Sequence, residues 1–190
     1  MTATLMYIHG YGSTGAATKA QLLRRMFPQY EVVSPTLDYD HVSPYRLQEQ
    51  IRQLVDKHNI GLIVGSSFGG YQTLSATKFF EGPVWAVNPV REVIPTIQRV
   101  ILNHTMSGDA FELLEEYKKF DAEVFRQLSA REGQLHFALS TDDELLGDHK
   151  PLLTMFPHYA QVVWKDQSGH RFFRFEELKD YIARTIPAGL

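Results

Sequence analysis

The length, composition and charge of the chain set the first limits on what it can do. The 190 residues are 44% hydrophobic, include no cysteine and carry a formal net charge of −3 at pH 7. This length suffices for one sizeable core, so we predict a single domain over residues 1–190. The missing cysteine excludes disulfides, thiolate metal sites and a cysteine nucleophile. The slight negative charge disfavours nucleic acid and anionic membrane surfaces as partners.

The first residues of the chain predict a buried strand and not a targeting segment. The apolar run there is roughly six residues long, and it has neither a basic flank nor a small-residue cleavage site. No window of the sequence approaches the roughly 20 apolar residues that a membrane span requires. We therefore expect a cytoplasmic protein.

The first half of the chain alternates strand-length apolar runs with helical periodicity. Strands are predicted at TLMYIHG (4–10), EVVSP (31–35) and IGLIVGSS (60–67). Between the first two strands, Pro28 ends a helical pattern over 18–27. Between the next two, Ser43 is an N-cap followed by proline at the first helical position. The apolar face of this second helix is the clearest in the chain and comprises Leu47, Ile51, Leu54 and Val55.

The second half continues the same alternation, with one exception. A helical pattern, YQTLSATKFF (71–80), is followed by predicted strands at PVWAVNP (83–89), QLHFALS (134–140) and QVVWK (161–165). The last helical pattern covers 175–186, with Phe175, Leu178, Tyr181 and Ile182 facing inward. Buried strands that alternate with helices predict an α/β fold, a mostly parallel six-stranded sheet with helices on both faces.

The exception is the long stretch between the fourth and fifth strands. Residues 91–133 contain at least two helical patterns and no strand signal, and Asp109 with Glu112 has the spacing of a capping box. Two interpretations are open, namely two helices that pack on the sheet, or a small helical cap over the active site.

The loop after the first strand, HGYGSTG, also has two interpretations. Gly10, Gly12 and Gly15 have the G-x-G-x-x-G spacing of a dinucleotide site. Alternatively, the loop is the first loop of a hydrolase and supplies one backbone N–H to an oxyanion hole. The nucleotide alternative fits poorly, because no acidic residue directly ends the second strand and no Tyr-x-x-x-Lys or G-K-[ST] pattern exists.

The end of the third strand carries a candidate nucleophile. Gly65, Ser67 and Gly69 form G-x-S-x-G between a strand pattern and a helix pattern, which is typical of a nucleophile elbow. In such an elbow a strained strand-to-helix turn presents the serine hydroxyl. Ser66 is the competing hydroxyl, but its register does not match the motif. We therefore predict Ser67 as the nucleophile.

Two later loops carry the acid and the base that a serine nucleophile needs. The loop after the fifth strand, STDDELL, is rich in acidic residues, and the loop after the sixth strand, DQSGHRFF, contains His170 behind a Ser-Gly turn. The chain order of serine, acid and histidine is that of α/β-hydrolase triads. Of the other histidines, we expect His9 to fix its loop by a hydrogen bond, and we interpret the remaining six as ordinary surface or core residues.

Five motifs together resemble the successive motifs of the YqiA-type small bacterial esterases, within the α/β-hydrolase superfamily. They are YIHGYGST, GSSFGGY, VNPV, STDDELL and SGHRFF, and the resemblance covers about residues 5–186. It implies the α/β-hydrolase fold and a carboxylesterase that hydrolyses small acyl esters, with a thioesterase as the alternative. No metal or organic cofactor is required for that chemistry.

The resemblance also implies roles for individual residues. It makes Ser67 the nucleophile, Asp143 the triad acid and His170 the base, with oxyanion donors from the backbone N–H groups of Tyr11 and Phe68, and with His9 and Gly10 as supporting residues. A glycine commonly precedes the acid in this family, whereas Asp142 stands there in this chain, so Asp142 is the alternative acid. The alternative to an enzyme is a noncatalytic binding module with the same fold.

Aromatic residues beside the predicted triad suggest an apolar acyl pocket. Tyr11, Phe68 and Phe172 each follow or adjoin a motif residue and are expected near the nucleophile. A chain this short has little material for a long acyl tunnel. We therefore expect a preference for short acyl chains.

Overall fold

A six-stranded sheet organises the protein, which is represented by a computed structural model that describes residues 4–103, 109–126, 133–154 and 161–187. The strands are β1 (Thr4–Ile8), β2 (Glu31–Val33), β3 (Ile60–Ser66), β4 (Val84–Val87), β5 (Leu135–Ser140) and β6 (Gln161–Lys165). The helices are α1 (Thr18–Met26), α2 (Pro44–His58), α3 (Phe68–Ala76), α4 (Val93–Asn103), α5 (Asp109–Arg126), α6 (Lys150–Leu153) and α7 (Lys179–Ala183).

The order of the strands in the sheet is β2-β1-β3-β4-β5-β6, and every described pair is parallel. The carboxyl ends of all six strands therefore meet at one edge of the sheet. The chain order reverses at β1, which has β2 on one side and β3 on the other, and ligand crevices form at such reversals. The predicted α/β-hydrolase architecture is confirmed.

Hydrophobic clusters lie on both faces of the sheet, as the alternation along β1 requires. Met6 and Ile8 belong to a cluster that includes buried side chains of α2, α3, α4 and α5. Leu5 and Tyr7 belong to the other cluster, which includes buried side chains of α1 and α7. Successive residues of a strand point to opposite faces, so β1 contributes to both clusters.

The start of α2 is as the sequence predicted. The Ser43 side chain accepts a hydrogen bond from the N–H of Arg46, and Pro44 occupies the first helical position. Leu47 and Ile51 are fully buried, and Leu54 and Val55 pack partly buried against the same cluster. The N-cap and the apolar stripe together explain why this helix was the clearest in the sequence.

The C-terminal helical pattern is divided into two parts, and one predicted orientation is wrong. A 3₁₀ turn over Phe175–Leu178 precedes α7. Phe175, Leu178 and Ile182 are buried as predicted, but Tyr181 is 42% exposed. A 3₁₀ turn has three residues per turn instead of 3.6, so a continuous α-helical pattern drawn through it misplaces the residues that follow.

The stretch after β4 forms α4 and α5, which pack against each other. Buried side chains of α5 join the core cluster beside α2 and α3, among them Leu113, Tyr117 and Phe120. The predicted capping box involves the Asp109 side chain, which lies outside the described part of the structure. Within the described helices, none combines the length and the apolar character that a membrane span needs.

Candidate active site

Ser67 occupies a sharp turn between β3 and α3. Its backbone has φ 55° and ψ −121°, a conformation that costs a non-glycine residue about 1–3 kcal/mol. The Ser67 N–H donates to the carbonyl of Val87 at 2.9 Å, and the Ser67 carbonyl accepts from the N–H of Val90 at 3.1 Å. These bonds to the last residue of β4 and to the segment after it hold the strained turn in place.

Close packing requires the glycines on either side of Ser67. A Cβ at Gly65 would lie 2.2 Å from Oγ1 of Thr73, and a Cβ at Gly69 would lie 2.2 Å from the carbonyl oxygen of Ile8. Carbon atoms cannot approach that closely, so a side chain at either position would push the helix away from the sheet. The spacing of the G-x-S-x-G motif therefore has a steric origin.

The two adjacent serines have different partners. The Ser66 hydroxyl is paired with the Tyr7 hydroxyl at 2.7 Å, and Ser66 is only 8% exposed. The Ser67 Oγ lies 2.9 Å from Nε2 of His170. Of the two hydroxyls, that of Ser67 is therefore the one in contact with a base.

His170 connects Ser67 to a carboxylate. Its Nδ1 lies 3.0 Å from Oδ2 and 3.1 Å from Oδ1 of Asp143. An ionised carboxylate only accepts, so Nδ1 carries the proton and Nε2 is free to accept from the Ser67 hydroxyl. Although burial acts to raise the pKa of Asp143, hydrogen bonds from His149 and His170 hold it well below its usual range.

The neighbouring acidic residues contact the backbone of the His170 loop. Oδ1 of Asp142 accepts from the N–H groups of Ser168 at 3.0 Å and Gly169 at 3.1 Å. Oε2 of Glu144 accepts from the N–H of His170 at 2.8 Å. Asp142, the alternative acid, thus binds the loop that carries the histidine, whereas Asp143 binds the histidine ring.

A second histidine, His149, contacts the same carboxylate. Its Nε2 lies 2.9 Å from Oδ2 of Asp143, and its side chain is 3% exposed. From the sequence, His149 is interpreted as an ordinary surface or core residue; it is buried, and its contact with Asp143 was not predicted. The contact depends on a turn in which Gly147, at φ 74°, donates its N–H to the Asp143 carbonyl at 2.9 Å. No periodicity or motif in the sequence signals such a turn.

Asn88 is another residue that the sequence analysis did not single out, although VNPV was among the motifs. It is fully buried and has a left-handed φ of 40°. Its Oδ1 accepts from the N–H of Ser140 at 2.8 Å, while its Nδ2 lies 2.9 Å from the Gly169 carbonyl and 3.1 Å from the His170 carbonyl. Asn88 therefore joins the end of β4 to β5 and to the histidine loop.

His9 binds two backbone groups in the first loop. Its Nε2 accepts from the N–H of Leu37 at 2.9 Å, so the proton is on Nδ1, which donates to the Gly10 carbonyl at 2.8 Å. Burial lowers the pKa of His9, which favours this neutral form. At Gly10 a Cβ would lie 3.2 Å from the Ser67 Cβ, so the first loop runs directly against the candidate nucleophile.

The two residues expected to supply oxyanion N–H groups, Tyr11 and Phe68, are both near Ser67 in the structure. Phe68 is the first residue of α3, where N–H groups have no acceptor within the helix. Tyr11 lines the same cavity as Ser67, and its hydroxyl donates to Asp40. The Phe68 ring is 2% exposed and packs on Tyr39 in the core, so it does not form the expected acyl pocket wall.

A cavity of about 490 Å³ contains Ser67 and His170. Its other walls come from the first loop, the first residues of α1, and residues 171–173. Phe172 is among these wall residues, as expected. A larger cavity of about 650 Å³, bordered by Trp85 and His136, lies towards the amino ends of β4 and β5 and is lined by none of the candidate site residues. In the described part of the chain, no group of three His, Asp or Glu side chains could hold a metal ion.

Comparison with known proteins extends these observations. The profile of an uncharacterised protein family, UPF0227, matches residues 4–186. A UPF0227 protein of Vibrio vulnificus (strain CMCP6) is 23% identical over 189 residues, with 91% of this chain and 93% of the relative covered.

Solved structures with similar folds include several named as esterases or lipases. Est1E from Butyrivibrio proteoclasticus has a TM-score of 0.72 at 10% identity, covering 97% of this chain and 88% of that one. The esterase domain of a Rhodothermus marinus protein has a TM-score of 0.71 at 18% identity, with the same coverage of 97% and 88%. A monoacylglycerol lipase of Paleococcus ferrophilus has a TM-score of 0.70 at 11% identity, covering 96% and 94%.

At these identities, the structural likeness establishes the fold. The family match covers nearly the whole chain and agrees with the resemblance to YqiA-type proteins found in the sequence. The chain therefore belongs to the UPF0227 family and has the α/β-hydrolase fold.

Proposed function

We propose that the protein is a serine hydrolase that cleaves small acyl esters through an acyl-enzyme on Ser67. The observation that carries the proposal is the unbroken chain of hydrogen bonds from Ser67 Oγ to His170 and from His170 to Asp143, at 2.9 Å and 3.0 Å. A nucleophile, a base and an orienting acid at these distances are the parts that acyl transfer requires. The esterase and lipase names of the similar structures agree with it.

In the first half-reaction, Ser67 Oγ attacks the acyl carbonyl carbon while His170 Nε2 accepts the hydroxyl proton. The resulting oxyanion accepts hydrogen bonds from the backbone N–H groups of Tyr11 and Phe68. When the bond to the alcohol breaks, His170 gives its proton to the leaving oxygen. The products of this step are the free alcohol and an ester between the acyl group and Ser67.

In the second half-reaction, water takes the place of the alcohol. His170 accepts a proton from the water as its oxygen attacks the acyl carbon, and returns that proton to Ser67 Oγ when the acyl-enzyme breaks. The carboxylic acid leaves and the serine hydroxyl is restored. Throughout both steps the ionised Asp143 stabilises the imidazolium and keeps the proton on Nδ1.

The strained turn and the packing around it support a catalytic role over a noncatalytic binding module. A left-handed serine costs stability, and in this chain it is held with its hydroxyl against an imidazole. Gly10, which the dinucleotide interpretation would use for the tight turn of a phosphate loop, packs against Ser67 instead. A chain of 190 residues has little material for a long acyl tunnel, so short acyl chains should be preferred to long ones.

The experiment that tests this proposal measures hydrolysis of p-nitrophenyl esters by the wild type, Ser67→Ala and Ser66→Ala. We expect Ser67→Ala to remain folded and to lose at least about 10³-fold in kcat/KM. Ser66→Ala is the matched control and should retain most of the activity. With the wild type, kcat/KM should decline from butyryl to palmitoyl esters. Substantial activity in Ser67→Ala, with Ser66→Ala inactive, would contradict the proposal.

A further inference from the structure

Two cationic side chains line the cavity at Ser67 and take no part in the mechanism above. Lys19 lies in the first turn of α1, and Arg171 directly follows His170. Both are among the residues that form the cavity wall. Lys19 is half-buried and Arg171 is exposed. They place positive charge beside the candidate nucleophile in a chain whose formal net charge is −3.

Neither cation has a carboxylate partner in the part of the chain that the structure describes. Among the described residues, no Asp or Glu forms an ion pair with Lys19 or Arg171, and no acidic residue lines the cavity. Asp40, which adjoins the wall, accepts from the Tyr11 hydroxyl. Burial, and then the charge of Arg171, lower the pKa of Lys19 to about 8. An ammonium group in such surroundings is stabilised when an anion binds beside it.

The start of α1 adds a third positive feature to the same wall. Ala17, Thr18 and Lys19 line the cavity. Ala17 is the N-cap and supplies no side-chain acceptor, and the first turn of this nine-residue helix contains no acidic residue. The free N–H groups and the positive end of the helix dipole therefore favour an anion at this wall.

We propose that the cavity binds a carboxylate group carried by the ester whose carbonyl is attacked by Ser67, with Lys19 and Arg171 as the residues that recognise it. A guanidinium group pairs with a carboxylate through two parallel hydrogen bonds, and a lysine adds a point charge. This inference rests on the proposed hydrolase function and narrows its substrate class. The carboxylate can belong to the acyl half or to the alcohol half of the ester.

The test compares two pairs of esters, and within each pair one carboxyl group is either free and anionic or methylated and neutral. Mono-p-nitrophenyl glutarate and methyl p-nitrophenyl glutarate place the difference on the acyl half. The compounds 4-acetoxybenzoate and methyl 4-acetoxybenzoate place it on the alcohol half. We expect the wild type to show a kcat/KM about tenfold higher for the anionic member of at least one pair, after subtraction of the rate measured with Ser67→Ala.

Variants identify the residues responsible for the preference for anionic esters. In the double variant Lys19→Gln/Arg171→Gln, the ratio of anionic to neutral kcat/KM should fall towards one. Lys57→Gln, which removes an exposed cation from the last turn of α2, is the matched control and should keep the wild-type ratio. The wild-type ratio should also decline as salt is added, because ions screen the attraction.

The outcomes separate this inference from the function on which it rests. Ser67-dependent hydrolysis with no anionic preference in either pair, or a preference that survives in the double variant, would overturn the carboxylate site and leave the hydrolase proposal standing. If none of the four esters were hydrolysed in a Ser67-dependent manner, the proposed function would fail, and the inference with it.

Discussion

Asp143 accepts hydrogen bonds from two histidine rings and from two backbone N–H groups, those of Leu145 and Leu146. This fully occupied carboxylate keeps its charge and its orientation when buried, because each oxygen has donors. His149 contacts Asp143 and does not line the cavity at Ser67. We therefore propose that it positions Asp143, and through it His170.

Removing the His149 side chain should affect turnover more than substrate binding. We expect His149→Ala to lower kcat about tenfold with KM within about twofold, because a less restrained Asp143 orients the His170 ring less well. His149→Gln, which restores an N–H donor, should recover most of the loss. His58→Ala, at the end of α2, is the control. A change in KM alone, or no recovery with glutamine, would contradict a positioning role.

The charge of Asp143 should also appear in the pH dependence of stability. Its pKa is lowered by folding, so the folded protein binds this proton more weakly than the unfolded chain does. The stability that the ionised Asp143 contributes is present above the ordinary aspartate pKa of about 3.9, and it is lost as the pH falls below that value. In urea unfolding, the stability advantage of the wild type over Asp143→Asn should be smaller at pH 3 than at pH 5. An advantage that grows between pH 5 and pH 3 would contradict this account.

Among the elements, α3 packs against the end of β1 so closely that two adjacent glycines of this helix should differ in their tolerance of a side chain. A Cβ at Gly69 would meet the backbone of Ile8 at 2.2 Å, whereas a Cβ at Gly70 would meet the Pro89 side chain at 2.9 Å. Gly69→Ala should lower the free energy of unfolding by about 3 kcal/mol or more, and Gly70→Ala by about 1 kcal/mol. Urea denaturation of the two variants tests this order, and equal losses would show that the sheet and helix can separate at little cost.

The position of α4 and α5, the helices after β4, bears on whether a cap covers the candidate site. In the described residues, α5 packs into the core through Tyr117 and Phe120, and no side chain of α4 or α5 lines the cavity at Ser67. We therefore propose two packed helices and not a cap for this stretch. The sequence left both alternatives open because helical periodicity shows which face is buried but not what it is buried against.

For the whole molecule, the parallel sheet explains why the sequence could predict so much of the site. Apolar runs identified the strands, and in a parallel sheet their carboxyl ends lie together. That geometry brings Ser67 after β3, Asp143 after β5 and His170 after β6 to one edge. Residues whose contacts depend on local turns were not predictable in this way, and His149 and Asn88 are the two examples.

The exposed Tyr181 shows where prediction of burial from apolar periodicity fails near the end of the chain. The periodic pattern predicted it to be buried, but a 3₁₀ turn changes the angle between successive side chains. Such a change of helix type leaves little trace in hydrophobicity. Patterns of apolar residues therefore predict the layers of this fold better than they predict the details of individual turns.

The most direct test of the central claim is the site of covalent modification by a fluorophosphonate, a reagent that phosphonylates activated serine hydroxyls. After the intact protein is labelled, peptide mapping by mass spectrometry identifies the modified residue. The account predicts modification at Ser67, loss of labelling in Ser67→Ala, and much slower labelling in His170→Ala, because the base activates the hydroxyl. Modification of Ser66 in its place, or no labelling of the folded wild type, would contradict it.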